Sequence, residues 1–415
     1  MEPIRAAYLC VPPAGGLKTF FLNLRRGLAP HGIRLSWLGS GKREAQAAIE
    51  RGVYGEVPDG DIVAPEAEDD RVCVPALMDY IRDHEISVVV LNDVGTAATG
   101  GLAYCLPAEV KRILIMHNIT PFAYRVAGAM RDYVHCTVGV SPRIQHDLVR
   151  RHGFDPNWTF CIPHGVDAAP ADHERSMKPE GAPLRAVFVG RVEDQAKGVH
   201  WLPEILGRAT AAGANVRLTV AGDGPDLPAL REAVRQRGLE SSVDFAGQVP
   251  PDGVLRVLNS HDVFLMPSRY EGLGYVLLEA MAAGCVPVAS RIHGVTDFVI
   301  QDGRTGFLFP VGSPRAAAKH LARLASDPAR LAAAGVAAQA EVRARFSLAE
   351  QSERYAALIH DTLETPHVIR RPVALEGWSP PRGFRPGWWH RLPLPIKNTL
   401  RCVRERFLAQ GGMGG

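Results

Sequence analysis

The sequence lacks three features that would place it in a specialised class of protein. Its 415 residues include seven cysteines, but these are scattered singly and form no Cys-x-x-Cys pair. That usage is typical of reduced thiols in a cytoplasmic protein and not of a disulfide framework or a zinc site. No apolar run approaches the roughly 18 residues of a membrane span, and the N-terminus shows no signal-peptide pattern. We therefore expect a cytoplasmic globular protein.

The sequence also carries little net charge, since 47 lysines and arginines face 44 aspartates and glutamates. The basic surplus lies in the tail, because residues 366–415 hold nine basic and two acidic side chains. The remaining body is slightly acidic and lacks the basic surface that nucleic-acid binding requires. With 46% hydrophobic and 22% charged residues, the chain can form the cores of two or three domains.

Short apolar runs alternate with amphipathic segments along almost the whole chain. Many runs are continuously apolar, as expected of parallel strands that are covered on both faces. The alternation predicts an α/β protein with doubly wound sheets of the Rossmann type. The predicted strands are 6–11, 33–38, 87–91, 112–117, 136–140, 186–190, 216–221, 243–246, 263–266 and 286–289. The predicted helices are 17–28, 76–84, 142–152, 201–211, 227–237, 275–283 and 316–324.

A stretch rich in proline and glycine divides this alternation into two similar halves. We interpret residues 168–182 as a linker between a first domain, 1–167, and a second domain, 183–365. Two such domains would face each other across a cleft, with ligands at the carboxyl ends of the strands. The remaining residues, 366–415, would form a separate basic tail.

The segment 268–287 carries the strongest chemical signal. Glu271 stands where a predicted strand gives way to a helix, and Gly272 and Gly274 follow it closely. A glycine-rich turn at the start of a helix leaves backbone N–H groups available to phosphate oxygens. Glu279 lies in an otherwise apolar helix, where a carboxylate is costly unless it has hydrogen-bonding partners. A ribose diol would supply them, and so would a local cap or salt bridge.

Two cations follow another predicted strand. Arg191 and Lys197 stand in the sequence Gly-Arg-Val-Glu-Asp-Gln-Ala-Lys-Gly, directly after the strand that ends at residue 190. An arginine can grip a phosphate through two hydrogen bonds and a lysine acts as a point charge, so the pair suits a diphosphate. The pattern is also compatible with two solvated surface cations.

Other nucleotide-binding signatures are missing from the sequence. No Gly-x-Gly-x-x-Gly follows the first strand, which disfavours a dehydrogenase, and there is no Walker A sequence. One Asp-x-Asp is present, Asp59-Gly60-Asp61. Because it stands among prolines and glycines, we interpret it as a turn and not as a metal site.

In their order and spacing, the motifs of the second half resemble those of the retaining GT-B glycosyltransferases of family 4. The resemblance is strong over residues 183–355. It rests on the Gly-Arg…Lys-Gly turn, on Ala-Gly-Asp-Gly-Pro at 221–225, on Phe-Ala-Gly-Gln-Val at 245–249, and on Glu271 and Glu279 with seven residues between them. The first half matches more loosely, through Gly15-Gly16 before a helix, His117 at a strand end, and a hinge-like segment, 161–167, with His164 in place of the family's asparagine.

The resemblance implies a role for each matching residue of the second half. Arg191 and Lys197 would neutralise the donor diphosphate and the charge on the leaving group. Glu279 would bind the ribose hydroxyls, and Glu271 would contact the transferred sugar.

Backbone groups and the first half would complete the implied site. Gly272, Leu273 and Gly274 would offer N–H groups to sugar and phosphate, and Val249 would lie near the base. Gly15 and Gly16 would allow the phosphates to approach closely. His117 would contact the sugar or orient the acceptor.

The implied activity is that of a hexosyltransferase. It would move a sugar from a UDP- or GDP-type nucleotide sugar to a saccharide, lipid-linked or small-molecule acceptor, with retention of anomeric configuration. No metal cofactor is expected, because fixed cations can stabilise the leaving diphosphate. Two alternatives stay open, namely a non-catalytic nucleotide- or glycan-binding protein of the same fold and a sugar-nucleotide epimerase.

Two departures from the family pattern concern the substrates. Where the family often has Gly-Gly-x-x-Glu, this chain has His-Gly-Val-Thr-Asp at 293–297, and Pro12-Pro13 stands in the glycine loop. These departures leave the donor sugar and the access of the acceptor undetermined.

The tail ends in a short basic amphipathic pattern. Its apolar residues recur at helical spacing and basic residues stand beside them. The apolar set is Ile396, Leu400, Val403 and Phe407, and the basic set is Lys397, Arg401, Arg404 and Arg406. The pattern is compatible with a helix that packs on the body and with one that holds the enzyme at the anionic inner face of a membrane.

Overall fold

The computed structural model describes residues 2–10, 15–50, 59–92, 97–167, 181–379, 382–384, 387 and 391–411. The chain forms two compact units, each built around one parallel sheet. The first unit comprises Met1–Gly165 and Leu348–Arg391, and the second comprises Val166–Ser347 and Leu392–Gly415. This division differs from the predicted one, which assigned residues 348–365 to the second domain. Most of the predicted linker lies outside the described residues.

The first unit contains a seven-stranded sheet in the order β3-β2-β1-β4-β5-β6-β7. All of its strand pairs are parallel. The strands are β1 Ile4–Leu9, β2 Ile33–Ser40, β3 Gly60–Val63, β4 Val88–Asn92, β5 Lys111–Met116, β6 Cys136–Gly139 and β7 Thr159–Cys161. The principal helices along the sequence are α1 Gly16–Leu28, α2 Gly41–Glu50, α3 Asp70–Asp83, α4 Ala97–Cys105, α5 Pro121–Met130 and α6 Pro142–His152.

The second unit contains a six-stranded parallel sheet in the order β10-β9-β8-β11-β12-β13. Its strands are β8 Leu184–Val189, β9 Val216–Ala221, β10 Val243–Gly247, β11 Val263–Met266, β12 Val286–Arg291 and β13 Phe307–Pro310. The helices are α7 Asp194–Lys197, α8 Leu202–Ala211, α9 Leu227–Gln236, α10 Pro251–Asn259, α11 Tyr275–Ala282, α12 Thr296–Val299, α13 Pro314–Ser326 and α14 Pro328–Arg345. Two further helices follow, α15 Leu348–Glu364 and α16 Leu394–Gly411.

The continuous apolar strands are buried, as the sequence pattern predicts. All five residues of β4 are buried, and Val88, Val89 and Leu91 have no exposed surface. A parallel strand reaches its neighbour only through a crossover, so helices cover both faces and no face of the strand needs to be polar. The prediction of Rossmann-like parallel sheets is confirmed for both units.

Three short strands at sheet edges were not predicted, namely β3, β7 and β13. Each has only three or four residues, too few for a periodic pattern. The interpretation of Asp59-Gly60-Asp61 as a turn was wrong, because Gly60 and Asp61 pair in parallel with Trp37 and Leu38 of β2. Gly60 permits this pairing, since a Cβ there would lie 1.9 Å from the Trp37 ring.

Helix α15 packs against α1 of the first unit. Gly27 allows the close approach, because a Cβ at that position would lie 1.8 Å from Ser352 Oγ. Tyr355 is 1% exposed and its ring lies edge-on to Phe20, with the centroids 6.0 Å apart. Burial of this helix explains why residues 348–365 belong to the first unit.

Helix α16 packs on the second unit, as one of the two interpretations of the tail predicted. Arg406 donates from Nε to the Val311 carbonyl at 3.0 Å and from Nη2 to the Gly312 carbonyl at 2.7 Å. Glu405 is 4% exposed. Within the described part of the chain, none of the helices combines the length and the apolarity needed to cross a membrane.

Candidate functional site

The second sheet reverses its strand order between β8 and β11, which are neighbours in the sheet although β9 and β10 lie between them in sequence. Ligands of open α/β sheets bind at the carboxyl ends of the strands at such a switch point. The segment that follows β8 contains Arg191 and Lys197, and the segment that follows β11 contains Glu271. The topology therefore brings the two strongest sequence motifs to one place.

Gly198 lets the segment after β8 lie directly on the segment after β11. Its φ is +63°, a left-handed conformation, and a Cβ there would lie 2.2 Å from the Pro267 carbonyl oxygen. Only glycine combines that conformation with that approach. This explains why a glycine follows the lysine in the sequence motif. Gly198 allows the close approach that places Lys197 within reach of Glu271, in the segment after β11.

Lys197 and Glu271 form an ion pair at the centre of this arrangement. Lys197 Nζ donates to Glu271 Oε1 at 2.6 Å, and Ser268 Oγ donates to the same oxygen at 2.7 Å. Glu271 is 9% exposed, whereas the lysine side chain is 31% exposed. The family resemblance implied that Lys197 binds phosphate and that Glu271 contacts the sugar. It did not predict that the two side chains pair. The lysine keeps part of its surface available to a ligand.

Arg269 holds the two segments together, and the sequence reasoning missed it. Its guanidinium is stacked on the Trp201 ring, with Cζ 3.8 Å from the centroid. Nη2 donates to Asp194 Oδ2 at 2.7 Å and Nε donates to the Asp194 carbonyl at 2.9 Å. The residue is only 8% exposed. An arginine directly before the Tyr-Glu of the motif was visible in the sequence, but nothing there distinguished it from a surface cation.

Arg191 lies in a segment that is fixed by contacts between backbones. Gly222 follows β9, and a Cβ there would lie 1.9 Å from the Gly190 carbonyl oxygen. Val192 N donates to the Asp223 carbonyl at 2.9 Å. The Arg191 side chain itself is 68% exposed and approaches Glu193 at 3.9 Å. The Ala-Gly-Asp-Gly-Pro motif thus shapes the segment that carries Arg191.

Glu279 lies on α11, four residues after the helix begins. The residue is partly buried among apolar neighbours, and burial raises the pKa of its carboxyl group to about 7. Among the described residues its side chain makes no hydrogen bond or ion pair, so the alternative of a local cap or salt bridge has no support there. A carboxylate in this setting gains most from a ligand that donates two hydrogen bonds.

The turn between Glu271 and α11 is buried. Gly272 and Leu273 are buried, and Gly274 is the N-cap residue of the helix. The first backbone N–H groups of a helix have no intrahelical acceptor, so this turn can bind an anion. Val249 lies further away in the sheet order, partly buried in the segment between β10 and α10.

In the first unit, His117 follows β5 and is 8% exposed. Asn92 donates from Nδ2 to the Leu9 carbonyl at 3.4 Å, so its Oδ1 accepts from His117 Nε2 at 3.3 Å. The other ring nitrogen, Nδ1, is then an acceptor and has no partner among the described residues. Burial lowers the pKa of His117 to about 3, so the ring is neutral at physiological pH. The neutral ring can accept a hydrogen bond from a hydroxyl group, but it does not carry a positive charge.

Two aromatic rings fix the orientation of His117. Phe20 of α1 lies edge-on with the ring centroids 4.8 Å apart, and His164 is stacked with the centroids 5.7 Å apart. His164 therefore has a packing role in the place of the family's asparagine. Gly15 is the N-cap residue of α1 with φ +88°, and Gly16 begins the helix. Pro12 and Pro13 lie outside the described residues.

The segment after β12, where this chain departs from the family pattern, is held by its own aspartate. Asp297 Oδ1 accepts from Gly294 N at 2.7 Å, and its Oδ2 lies 3.2 Å from His293 Nδ1. Asp297 thus closes a local turn.

The Asp-x-Asp sequence also makes local contacts. Asp59 forms an ion pair with Arg25, and Asp61 Oδ1 accepts from Ile62 N at 2.8 Å. Within the described ranges, no group of histidine, cysteine and acidic side chains has the arrangement of a metal site.

Two family models match this chain, one in each half. The model of glycosyltransferase family 4 matches residues 14–169, and the model of group 1 glycosyl transferases matches residues 183–327. Together they cover most of the chain.

Curated relatives share the sequence over different lengths. WcaL of Salmonella typhimurium, a glycosyltransferase named for colanic acid biosynthesis, is 35% identical over 164 residues, which are 38% of this chain and 40% of that protein. Alpha-maltose-1-phosphate synthase of Mycolicibacterium smegmatis is 26% identical over 339 residues, which are 73% of this chain and 86% of that protein. The match thus spans well under two thirds of the first relative.

Solved structures share the fold over nearly their whole length. HepE of Anabaena in complex with UDP has a TM-score of 0.70 and 18% identity, covering 87% of this chain and 100% of that one. Sucrose-phosphate synthase of Thermosynechococcus elongatus has a TM-score of 0.71 and 19% identity, covering 87% and 99%. At this identity the likeness establishes the fold, which confirms the predicted GT-B class.

Proposed function

Because the chain belongs to the glycosyltransferases that these models describe, of family 4 and group 1, we propose that it transfers a sugar from a nucleoside diphosphate sugar to an acceptor hydroxyl. The Lys197–Glu271 pair beside the buried start of α11 is the observation that carries this proposal. A partly exposed cation beside the N-terminus of a helix, at the switch point of a parallel sheet, suits a diphosphate leaving group.

The reaction breaks the bond between the anomeric carbon and the diphosphate oxygen. As that bond breaks, negative charge builds on the diphosphate, and Lys197 and Arg191 stabilise it more strongly than they stabilise the ground state. The acceptor oxygen bonds to the anomeric carbon and its proton passes to the leaving phosphate. Attack from the face that the diphosphate leaves retains the anomeric configuration. Because Lys197 and Arg191 supply positive charge to the leaving diphosphate, the proposed reaction needs no metal ion.

The remaining parts of the donor have proposed partners in the same unit. Glu279 accepts hydrogen bonds from the two ribose hydroxyls, and Glu271 contacts the transferred sugar. Gly272, Leu273 and Gly274 donate from the backbone to sugar and phosphate, and the backbone at Val249 contacts the base. The base is that of a UDP- or GDP-type donor, and the UDP complex of the Anabaena protein supports uridine.

The first unit supplies groups for the transferred sugar and the acceptor. His117 is neutral, and we propose that its buried acceptor nitrogen, which has no partner among the described residues, accepts a hydrogen bond from a hydroxyl of either molecule. Gly15 and Gly16 lack side chains at the start of α1 and so admit a phosphate to its N–H groups. The acceptor is a saccharide, a lipid-linked or a small molecule.

A turnover assay tests this function. Each of UDP-, GDP- and ADP-glucose and their N-acetylglucosamine, mannose and galactose counterparts is incubated with the protein, and released nucleoside diphosphate is measured with and without EDTA. We expect one nucleotide sugar to be consumed at equal rates in both conditions, with slow transfer to water when no acceptor is present. Release of no nucleotide would support the non-catalytic alternative, and an isomerised sugar nucleotide would support the epimerase.

We further propose that the enzyme binds the anionic surface of a cytoplasmic membrane through α16. The outer stripe of this helix, Ile396, Leu400, Val403 and Phe407, is 47%, 45%, 58% and 74% exposed. At 100° per residue these four side chains lie on one face, opposite Glu405, which is buried against the unit. Lys397 and Arg404 flank the stripe, so anionic lipid is the occupant that matches its charge.

Replacing apolar residues of the outer stripe by serine should reduce binding of the protein to vesicles that contain phosphatidylglycerol. We expect the double substitution Val403→Ser and Phe407→Ser to weaken binding about tenfold, since two apolar side chains leave the lipid. The matched control is Val336→Ser, because Val336 is 68% exposed on α14 and lies outside the stripe. Equal sedimentation of the double variant and the control would contradict the proposal, and loss of a dimer in light scattering would point to self-association instead.

A further inference from the structure

Helix α16 lies across the carboxyl ends of four neighbouring strands of the second sheet. It contacts Gln195 after β8, Tyr270 after β11, His293 after β12 and Gly312 after β13. These four strands are adjacent in the sheet in that order. The edge that the helix spans is the one where the proposed donor residues stand, so the helix shares that edge with the site.

Arg401 makes the contact nearest to the donor residues. Its guanidinium lies over the Tyr270 ring, with Cζ 4.2 Å from the centroid, and Nη1 donates to the Gln195 carbonyl at 3.4 Å. Tyr270 immediately precedes Glu271, and Gln195 lies two residues before Lys197. One side chain thus touches both segments whose ends form the Lys197–Glu271 pair.

Two other residues of the helix extend this contact. Cys402 Sγ lies 3.9 Å from Nη1 of Arg269, the arginine that ties the same two segments together. Glu405 Oε2 accepts from His293 N at 3.3 Å, at the start of the segment that Asp297 closes. A carboxylate only 4% exposed is costly to bury, which indicates that this contact is a built feature and not a chance approach.

We propose that α16 is a structural part of the donor site, with Arg401 and Glu405 as positioning residues that hold the segments after β8, β11 and β12. The inference rests on the proposed function, since it assigns a role in binding the nucleotide sugar. Arg401 acts through Tyr270 and Gln195 on the placement of Glu271 and Lys197. Glu405 acts on the segment 293–297, where the sequence departs from the family and where donor-sugar selection is expected.

This arrangement gives α16 two faces with separate tasks. The inner face, with Arg401, Cys402 and Glu405, meets the donor segments, while the outer stripe points away from them. Substitutions on the two faces should therefore have separable effects. Inner substitutions should change donor binding without lipid, and outer substitutions should change lipid binding.

The test compares Arg401→Ala with Thr399→Ala. Thr399 is an exposed residue of the same helix, and its hydroxyl donates to the Pro395 carbonyl. The affinity for UDP and GDP is measured by calorimetry in the absence of lipid. Amide hydrogen exchange without nucleotide is followed in 268–274 and 293–297, with the core strand Val263–Met266 as a reference for folding.

We expect Arg401→Ala to weaken nucleotide binding about fivefold, as loss of one buried cation–π contact implies, and to speed exchange in 268–274 only. Arg401→Lys should recover part of both effects.

Glu405→Gln tests the second contact independently. We expect faster amide hydrogen exchange in 293–297, because the substitution weakens the hydrogen bond from His293 N. Unchanged nucleotide affinity and unchanged exchange in both inner-face variants would overturn the inference while leaving the proposed function intact. Failure of the unaltered protein to bind any nucleoside diphosphate would overturn the proposed function and this inference with it. Faster exchange that extends to the reference strand would show a purely structural role and would also overturn the inference.

Discussion

Replacing Lys197 by methionine should lower kcat for sugar transfer by about a hundredfold to a thousandfold, the usual cost of removing one group that stabilises developing charge. The lysine is the partly exposed member of the pair with Glu271, and the diphosphate gains its negative charge only as the sugar bond breaks. KM for the donor should rise as well, because the ground-state diphosphate also loses a cation. Initial rates across donor concentrations separate the two effects.

Lys319→Met is the matched control, because Lys319 is an exposed lysine on α13 of the same unit. Lys197→Arg should recover only part of the rate, since a guanidinium in place of the ammonium changes the geometry toward Glu271. A Lys197→Met variant that turns over as fast as the control would exclude the lysine from the reaction. Thermal unfolding of each variant identifies a rate loss that is caused by misfolding.

Replacing Glu279 by glutamine should weaken nucleotide-sugar binding at pH 8 by roughly ten- to a hundredfold, the effect of losing one or two charge-assisted hydrogen bonds. The same substitution should stabilise the protein without ligand. The folded-state pKa of about 7 lies above the usual 4.5, so ionisation destabilises the fold progressively from pH 4.5 to pH 7 and fully above that. At pH 8 the gain should be on the order of 3 kcal/mol and should vanish toward pH 4.5.

The pH dependence of binding distinguishes Glu279 from other contacts. If the ionised carboxylate accepts both ribose hydroxyls, affinity should fall about tenfold between pH 8 and pH 6 as the group becomes protonated. A nucleotide sugar is the right probe, since its diphosphate is a diester with no ionisation near neutral pH. The dependence should disappear in Glu279→Gln and persist in Glu240→Gln, an exposed control. Equal slopes in all three proteins would refute the assigned role.

The sequence predicted the class of fold because parallel strands covered on both faces give continuous apolar runs, as in β4 and β12. It missed α14, whose alanine-rich sequence has little amphipathic pattern although Ala334 and Ala338 are buried. The sequence analysis also assigned α15 to the second domain, whereas the helix belongs to the first unit. The pattern of a long amphipathic helix does not indicate which sheet the helix covers. The contact between Gly27 and Ser352 joins residues far apart in sequence, which periodicity does not reveal.

For the candidate site, the sequence predicted residues whose roles stay proposals, and it did not predict that Lys197 and Glu271 pair. Lys197 and Glu271 are 74 positions apart and meet at 2.6 Å because β8 and β11 are neighbours at the switch point. The roles of Arg269 and Arg401 were not predictable, since a stacked or buried arginine and a solvated one look alike in sequence. The predicted helix of α16 is confirmed, but the sequence did not reveal that Arg401 and Arg406 contact backbone carbonyls of the second unit.

A structure of the protein with the nucleoside diphosphate that it binds most tightly tests the central claim most directly. We expect the diphosphate within hydrogen-bonding distance of Lys197 and of the backbone at the start of α11, and the ribose hydroxyls on the Glu279 carboxylate. A nucleotide bound at the carboxyl ends of β8 and β11 in this way would establish the donor site. A nucleotide bound elsewhere, with Glu279 and Lys197 free of contact to it, would contradict the account.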